Sequence, residues 1–242
     1  MFQQRFTRSV SLQNKWLFVL IVLPLYIYCS SLIGSAIIQF MILELGFSMT
    51  YTTANAYLNL MVDGAMLIIV FLMLKDSMIQ QIKEFFYHIG DHILEALVLG
   101  PVLIYGANIV GSLLVLAFGG VSDSENQVLV ESLLDAYPVI MSFCTVVLAP
   151  ILEEMIFRGI LFSWLYEYNP KLAHIISAFL FGFVHVMSSV FAGDLSELIQ
   201  IFPYIFTGLV LSYLYEKHNN ICVPIGAHAM NNLNSIILNF LY

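Results

Sequence analysis

Apolar residues run in long blocks along this chain, and polar positions fall in the short gaps between them. A hydrocarbon layer of about 30 Å is crossed by about 20 helical residues. Seven blocks reach that length, roughly 16–43, 54–74, 93–118, 137–162, 172–192, 198–215 and 221–241. The pattern predicts an all-α polytopic membrane protein with about seven transmembrane helices. The first block follows a basic amino end and is too long for a signal-peptide core, so a retained span is expected.

The gaps carry the orientation. Arg5, Arg8 and Lys15 precede the first block, and Lys75 and Lys83 lie between the second and third. Lys171 lies between the fourth and fifth, and Lys217 between the sixth and seventh. The gaps 44–53, 119–136 and 193–197 hold no Lys or Arg. Basic loops stay in the cytoplasm, so the expected protein sits in the cell membrane with its amino end inside and its carboxyl end outside. The gap 119–136, with Asp123, Glu125, Glu131 and Asp135, would then face out. Such a loop suits cationic peptides, although acidic loops are more often simply solvated. Segment 76–91 is partly amphipathic and reads either as a helix along the inner surface or as a solvated loop. No repeat or linker divides the chain. The expected organisation is 1–135, about three membrane helices and the acidic loop, followed by 136–242, a core of about four spans.

Composition strengthens this picture. Of 242 residues 60% are hydrophobic and 10% charged, and the mean hydropathy is +0.91. A soluble domain carries about 25% charged residues, so this chain is expected to be solvated by a lipid bilayer. Eight Lys+Arg against sixteen Asp+Glu, without a basic stripe, exclude nucleic acid as an expected partner. Cys29, Cys144 and Cys222 are far apart and read as small apolar residues.

Ionisable residues inside spans are costly and become functional candidates. Glu95 is close to a span end and can reach the interface. Asp63 lies within the second block and reads as either a functional carboxylate or a polar contact between helices. The fourth block contains Glu153-Glu154-Met155-Ile156-Phe157-Arg158. Glu154 and Arg158 are four apart, share a helix face and can pair. Glu153 is turned about 100° away and has no sequence-local partner, which suits a general base. Pro150 lacks an N–H and is expected to leave the carbonyl of Val146 without a helical donor. The fifth block carries Phe181-Gly182-Phe183-Val184-His185, and the seventh His228-Ala229-Met230-Asn231-Asn232. Counted inward at 1.5 Å per residue, Glu153, His185 and His228 lie about 13, 20 and 10 Å from the cytoplasmic ends of their blocks. They are expected in one layer, around a polar cavity that opens inward and is walled by spans four, five and seven.

One acid, two imidazoles and a carboxamide suit water activation. Glu153 can take a proton from water, His185 can orient that water, and His228 and Asn232 can donate to a developing oxyanion. The chemistry is hydrolysis of a peptide bond inside a membrane. Ser188 and Ser189 follow His185, but a serine nucleophile leaves the two glutamates unexplained. A divalent metal such as zinc, held by Glu153, His185 and His228, would also fit the residue types. The sequence leaves metal-dependent and metal-free versions open.

The three motifs E-E-x-x-x-R, F-x-x-x-H and H-x-x-x-N, on separate spans between about Ala136 and Asn239, resemble those of the CAAX prenyl endopeptidase and bacteriocin-processing (CPBP, or Abi) family of intramembrane proteases. The resemblance implies that Glu153 activates water with support from Glu154 and Arg158, that His185 assists, and that His228 and Asn232 stabilise the oxyanion. It implies as substrate a small peptide or membrane-proximal tail, in bacteriocin or signalling-peptide maturation or immunity. The competing expectation is a non-enzymatic bacteriocin-immunity or scaffold protein whose polar residues only hold helices together. A small transporter using Glu153 and Asp63 as a proton relay is a third.

Overall fold

The computed structural model describes residues 11–120 and 123–241, with the backbone alone for 28–31. Arg5, Arg8 and the side chain of Cys29 lie outside the described residues. The described residues form helices and their connections, without strands. Nine helices follow in order: α1 Leu12–Ile27, α2 Leu32–Leu43, α3 Tyr51–Tyr87 and α4 Ile89–Ala117, then α5 Glu125–Ala136. After it come α6 Pro138–Tyr166, α7 Pro170–Phe191 and α8 Leu195–His218, and α9 Cys222–Leu241.

Side-chain caps set several starts. Thr50, Ser124 and Asn169 accept from the backbone N–H groups of Thr53, Gln127 and Leu172, each meeting an otherwise orphaned donor of a first turn. Asn219, at φ 49°, ends α8 in the left-handed conformation and turns the chain into α9.

Five helices are long and apolar enough to cross a membrane: α3, α4, α6, α7 and α8. α1 and α2 pass the same test together as one span bent by 49°. α9, 20 residues long, is not among them, because His228, Asn231, Asn232, Asn234 and Asn239 make it polar. The protein is thus a multi-pass membrane protein with five or six spans of clear apolar character, and α9 as a polar helix beside them. Apolar side chains such as Leu72, Val102 and Leu113 stay exposed on the spans, as a lipid-facing surface requires.

Contacts between helix ends define two faces. On the face bearing Lys residues, Lys15 pairs with Glu167 at 3.4 Å and Lys217 with Glu95. There too Tyr166 donates to Glu216. Segment 76–91 is neither a surface helix nor a loop at its start. α3 continues unbroken to Tyr87 because Gln81 is needed at the turn into α9: its backbone carbonyl accepts from Asn220 and its Oε1 from the N–H of Ile221. On the opposite face Thr53 meets Tyr137 at 2.6 Å, Ser124 meets Tyr204 at 2.8 Å, and the N–H of Glu125 donates to Glu197.

Small residues let the helices close up. A Cβ at Gly208 would lie 2.8 Å from the Cα of Ala178, and one at Gly111 would lie 2.5 Å from the Cα of Pro203. α8 therefore touches α7 and α4 backbone to backbone. Phe157, Phe162, Phe181, Leu211, Leu214 and Tyr215 fill the buried centre between these helices.

Candidate active site

α6 is locally wound wide. Residues Cys144–Leu148 and Met155–Phe162 are π-helical, on either side of the α-helical turn Ala149–Glu154. Such bulges often accompany functional sites because they re-aim side chains. They also move the carbonyl orphaned by Pro150. The N–H of Ala149 reaches back five residues to Cys144, so the next carbonyl in that register belongs to Thr145, not to Val146. Pro150 has no N–H to give it. Asn232 of α9 supplies the missing donor, Nδ2 to the Thr145 carbonyl at 2.9 Å.

The acid pair divides as the four-residue spacing predicts. Glu154 and Arg158 are fully buried and joined, Nη1 to Oε1, at 2.9 Å. The second guanidinium nitrogen donates to the carbonyl of Gly208 at 3.0 Å, the carbonyl of the same glycine that lets α8 approach α7. The guanidinium lies 4.4 Å from the ring centre of Phe181, a cation–π contact in a dry setting. Glu154 Oε1 also meets Nδ1 of His228 at 3.1 Å. This network binds α6, α8 and α9 together.

Glu153 faces elsewhere. Its Oε1 accepts from the Tyr26 hydroxyl at 3.3 Å. Its Oε2 is buried without a hydrogen-bond partner and lies 4.0 Å from His228 Nε2. That gap is too long for a direct hydrogen bond. His185 donates from Nδ1 to the carbonyl of Phe181 at 2.7 Å, because a carbonyl can only accept. Its ring stacks on Tyr204, 4.3 Å between centres.

Glu153, His185 and His228 line one cavity of about 520 Å³, together with Asn232, Asp63 and Tyr204. Glu154 and Arg158 are not on its wall, nor are Ser188 and Ser189. The expected layout needs two corrections. The walls include α3, α4, α5 and α8 as well as α6, α7 and α9, through Asn59, Asn108, Gln127 and Tyr204 among others. The cavity also runs away from the basic face and reaches Asp123, Asn126 and Glu131 on the α5 side. The basic face is closed by the end-to-end contacts described above and by buried Phe162, Leu214 and Ile221. The depth count misplaced the site because α6 extends to Tyr166, which puts Glu153 about 20 Å from that end at 1.5 Å per residue.

Among the described residues no three His, Cys, Asp or Glu side chains are placed to share an ion, although the Nδ1 contacts of His185 and His228 leave Nε2 of each ring available. Cys144 is buried and Cys222 half-buried, both as free thiols. Four contributors escaped the sequence reading as site residues: Tyr26, Thr145, Phe181 and Tyr204. Phe181 had a signal, as the first position of its motif. The others are joined to the site only by the fold.

The fold and cavity define a polytopic helical membrane protein with a buried acid–imidazole site. Residues 135–234 match the model of a family described as type II CAAX prenyl endopeptidase Rce1-like. Through this segment the chain is similar to that family. It is 35% identical over 151 residues to "Putative membrane peptidase YdiL" of Bacillus subtilis (strain 168), covering 62% of this chain and 57% of that protein. It is 29% identical over 87 residues to "UPF0177 protein YxdF" of Lactococcus lactis subsp. lactis (strain IL1403), covering 36% of this chain and 43% of that one. An uncharacterized protein of Mycoplasma capricolum subsp. capricolum is 30% identical over 103 residues, 42% of this chain and 28% of its own. The matches thus span 57% or less of these relatives' lengths. No solved structure matches the chain.

Proposed function

We propose that this protein is an intramembrane endopeptidase that hydrolyses a peptide bond with water activated by Glu153. The observation that carries the reading is that the three family motifs, far apart in sequence, contribute Glu153, His185 and His228 to one polar cavity. The family match over residues 135–234 supports it, as does the printed name of the Bacillus subtilis relative.

In this reading a water molecule bridges Glu153 Oε2 and His228 Nε2, whose 4.0 Å separation leaves a direct contact unmade. Glu154 holds the ring by Nδ1, so a neutral His228 accepts at Nε2. His185, donating from Nδ1, also offers Nε2 as an acceptor and helps orient the water. The water oxygen attacks the peptide carbon, and its proton passes to Glu153. Glu153 then returns the proton to the leaving amine, giving a carboxylic acid and an amine. The oxyanion is met by the second N–H of Asn232, the first being given to Thr145, while His228 stays neutral and keeps the water placed through Nε2. Arg158 and Glu154 act through His228. The substrate class carried over from the family is a small peptide or membrane-proximal tail, in peptide maturation or immunity. Residues 136–242 form the catalytic core in this reading, with 1–135 as its wall and support. The proposed orientation places the basic face in the cytoplasm.

The experiment is comparative peptide profiling of membranes holding wild-type, Glu153→Ala or His228→Ala protein at equal, folded levels. Processed peptides are expected to vanish in both variants. Wild-type processing in both would overturn the reading. A second reading, a non-enzymatic immunity or scaffold protein, draws support from the structural use of Asn232 and Arg158 as interhelical ties. It requires that immunity survive Glu153→Ala.

A further inference from the structure

The cavity has a charge imbalance that the proposed chemistry does not use. Asp63, Asp123, Glu131 and Glu153 line it, and no Lys or Arg does. Of the described Lys and Arg residues, Arg158 is held on Glu154, Lys15 on Glu167 and Lys217 on Glu95, and Lys75, Lys83 and Lys171 also lie off the cavity wall. Asp63 is the least explained of the four. It sits within α3, a membrane-spanning helix, and it makes no hydrogen bond or ion pair among the described residues. An ionised or buried polar group at that depth is costly unless something meets it.

A second observation concerns room for a ligand. Glu153 is only 8% exposed, yet its Oε2 has no hydrogen-bond partner although the residue lines the same cavity. A built acceptor and a separate, unpaired carboxylate therefore share one hollow. If Asp63 were only a polar contact between helices, a donor from a neighbouring helix would be expected on it.

We propose that Asp63 is a specificity residue that receives the ammonium or guanidinium of a lysine or arginine side chain on a peptide held in the cavity. The proposal rests on the endopeptidase reading for the peptide itself. Glu131, on α5 and bonded to Gln127 at 2.7 Å, stands toward the open end and favours the same charge on the way in. The cation lies beside the bond that the Glu153-activated water attacks, and acidic side chains are rejected by repulsion from the same carboxylates.

The test separates binding from cleavage. The full chain, carrying Glu153→Gln so that no hydrolysis intervenes, is reconstituted in neutral-lipid nanodiscs. Three amino-acetylated apolar decapeptides are titrated, alike except for one central Lys, Gln or Glu. Acetylation removes the terminal amine, and a fourth peptide with a free amine and Gln shows whether that amine substitutes for Lys. The Lys peptide is expected to bind about tenfold more tightly than the Gln peptide, the effect of about 1.4 kcal/mol, with the Glu peptide weakest. Asp63→Asn should bring Lys and Gln within about threefold, and Asp63→Glu should keep the preference. Equal Lys and Gln affinities before any change at Asp63 would overturn the proposal, whether or not Asp63→Asn folds. So would a preference unchanged in folded Asp63→Asn, or a free amine as effective as Lys. Loss of cleavage chemistry would leave these affinities unchanged, so failure of the endopeptidase reading registers separately.

Discussion

His228 Nδ1 lies 3.1 Å from Oε1 of Glu154, while its Nε2 stands 4.0 Å from Oε2 of Glu153. One imidazole thus joins the two adjacent carboxylates of α6, one by contact and one across a gap. The first carboxylate is neutralised by Arg158 and is structural. The second pairs with no Lys or Arg among the described residues and, in the proposed reading, is left for chemistry.

That asymmetry separates stability from activity. Glu154→Ala leaves Arg158 buried without its partner, and breaking such a pair costs about 3–5 kcal/mol. Thermal unfolding in detergent should fall steeply for Glu154→Ala. Glu153→Gln, which removes no cation's partner, should unfold within about 1 kcal/mol of wild type and lose peptide processing. Equal destabilisation by the two substitutions would contradict the division.

Asn232 and Pro150 should be coupled. Asn232→Ala strips the Thr145 carbonyl of its donor, at a cost of about 1–3 kcal/mol. Pro150→Ala restores a backbone N–H in the five-residue register. The double variant is therefore expected to recover much of the loss, and a double-mutant cycle by denaturant unfolding should give a non-zero interaction energy. Additive losses would mean that Thr145 is not the shared acceptor.

Close contact between α7 and α8 predicts a steric effect. Gly208→Ala places a methyl group 2.8 Å from the Ala178 backbone and should destabilise by about 1–3 kcal/mol. The same change at Gly64, which has nothing within 4 Å of its added Cβ, should be neutral or better. Melting temperatures of the two variants give the comparison.

The cavity's direction can be read by labelling. In a background with all three cysteines replaced, Gln127→Cys is expected to react with a membrane-impermeant maleimide from outside intact cells. Lys83→Cys should react only after the membrane is opened. The reverse pattern would invert the proposed orientation, and protection of both from either side would deny the cavity its opening near α5.

Much of this was legible in the sequence because it is local. Apolar blocks locate spans, and four-residue spacing predicts the Glu154–Arg158 pair from helix geometry alone. What failed depends on register and on distant packing. Pro150 was expected to free Val146, but a π turn moves the vacancy to Thr145, and nothing in residues 144–148 announces that turn. The inward-opening cavity followed from block edges, while α6 runs on to Tyr166. Segment 76–91 looked like a surface or loop element, and only the docking of Gln81 on Asn220 and Ile221 explains why α3 does not stop. Tyr26 reaches Glu153 across 127 positions of chain, a separation that periodicity does not bridge.

α3 has 37 residues, which makes it about 55 Å long at 1.5 Å per residue, against a hydrocarbon layer of about 30 Å. It must lean or overhang, and its aromatic end at Phe86 and Tyr87, both exposed, suits the headgroup layer. With Gln81 clamped near one end and Asp63 much nearer the other, the helix has the proportions of an oar in a rowlock. A thinner or thicker bilayer would change its angle, and so would shift the wall of the hollow without touching any residue inside it.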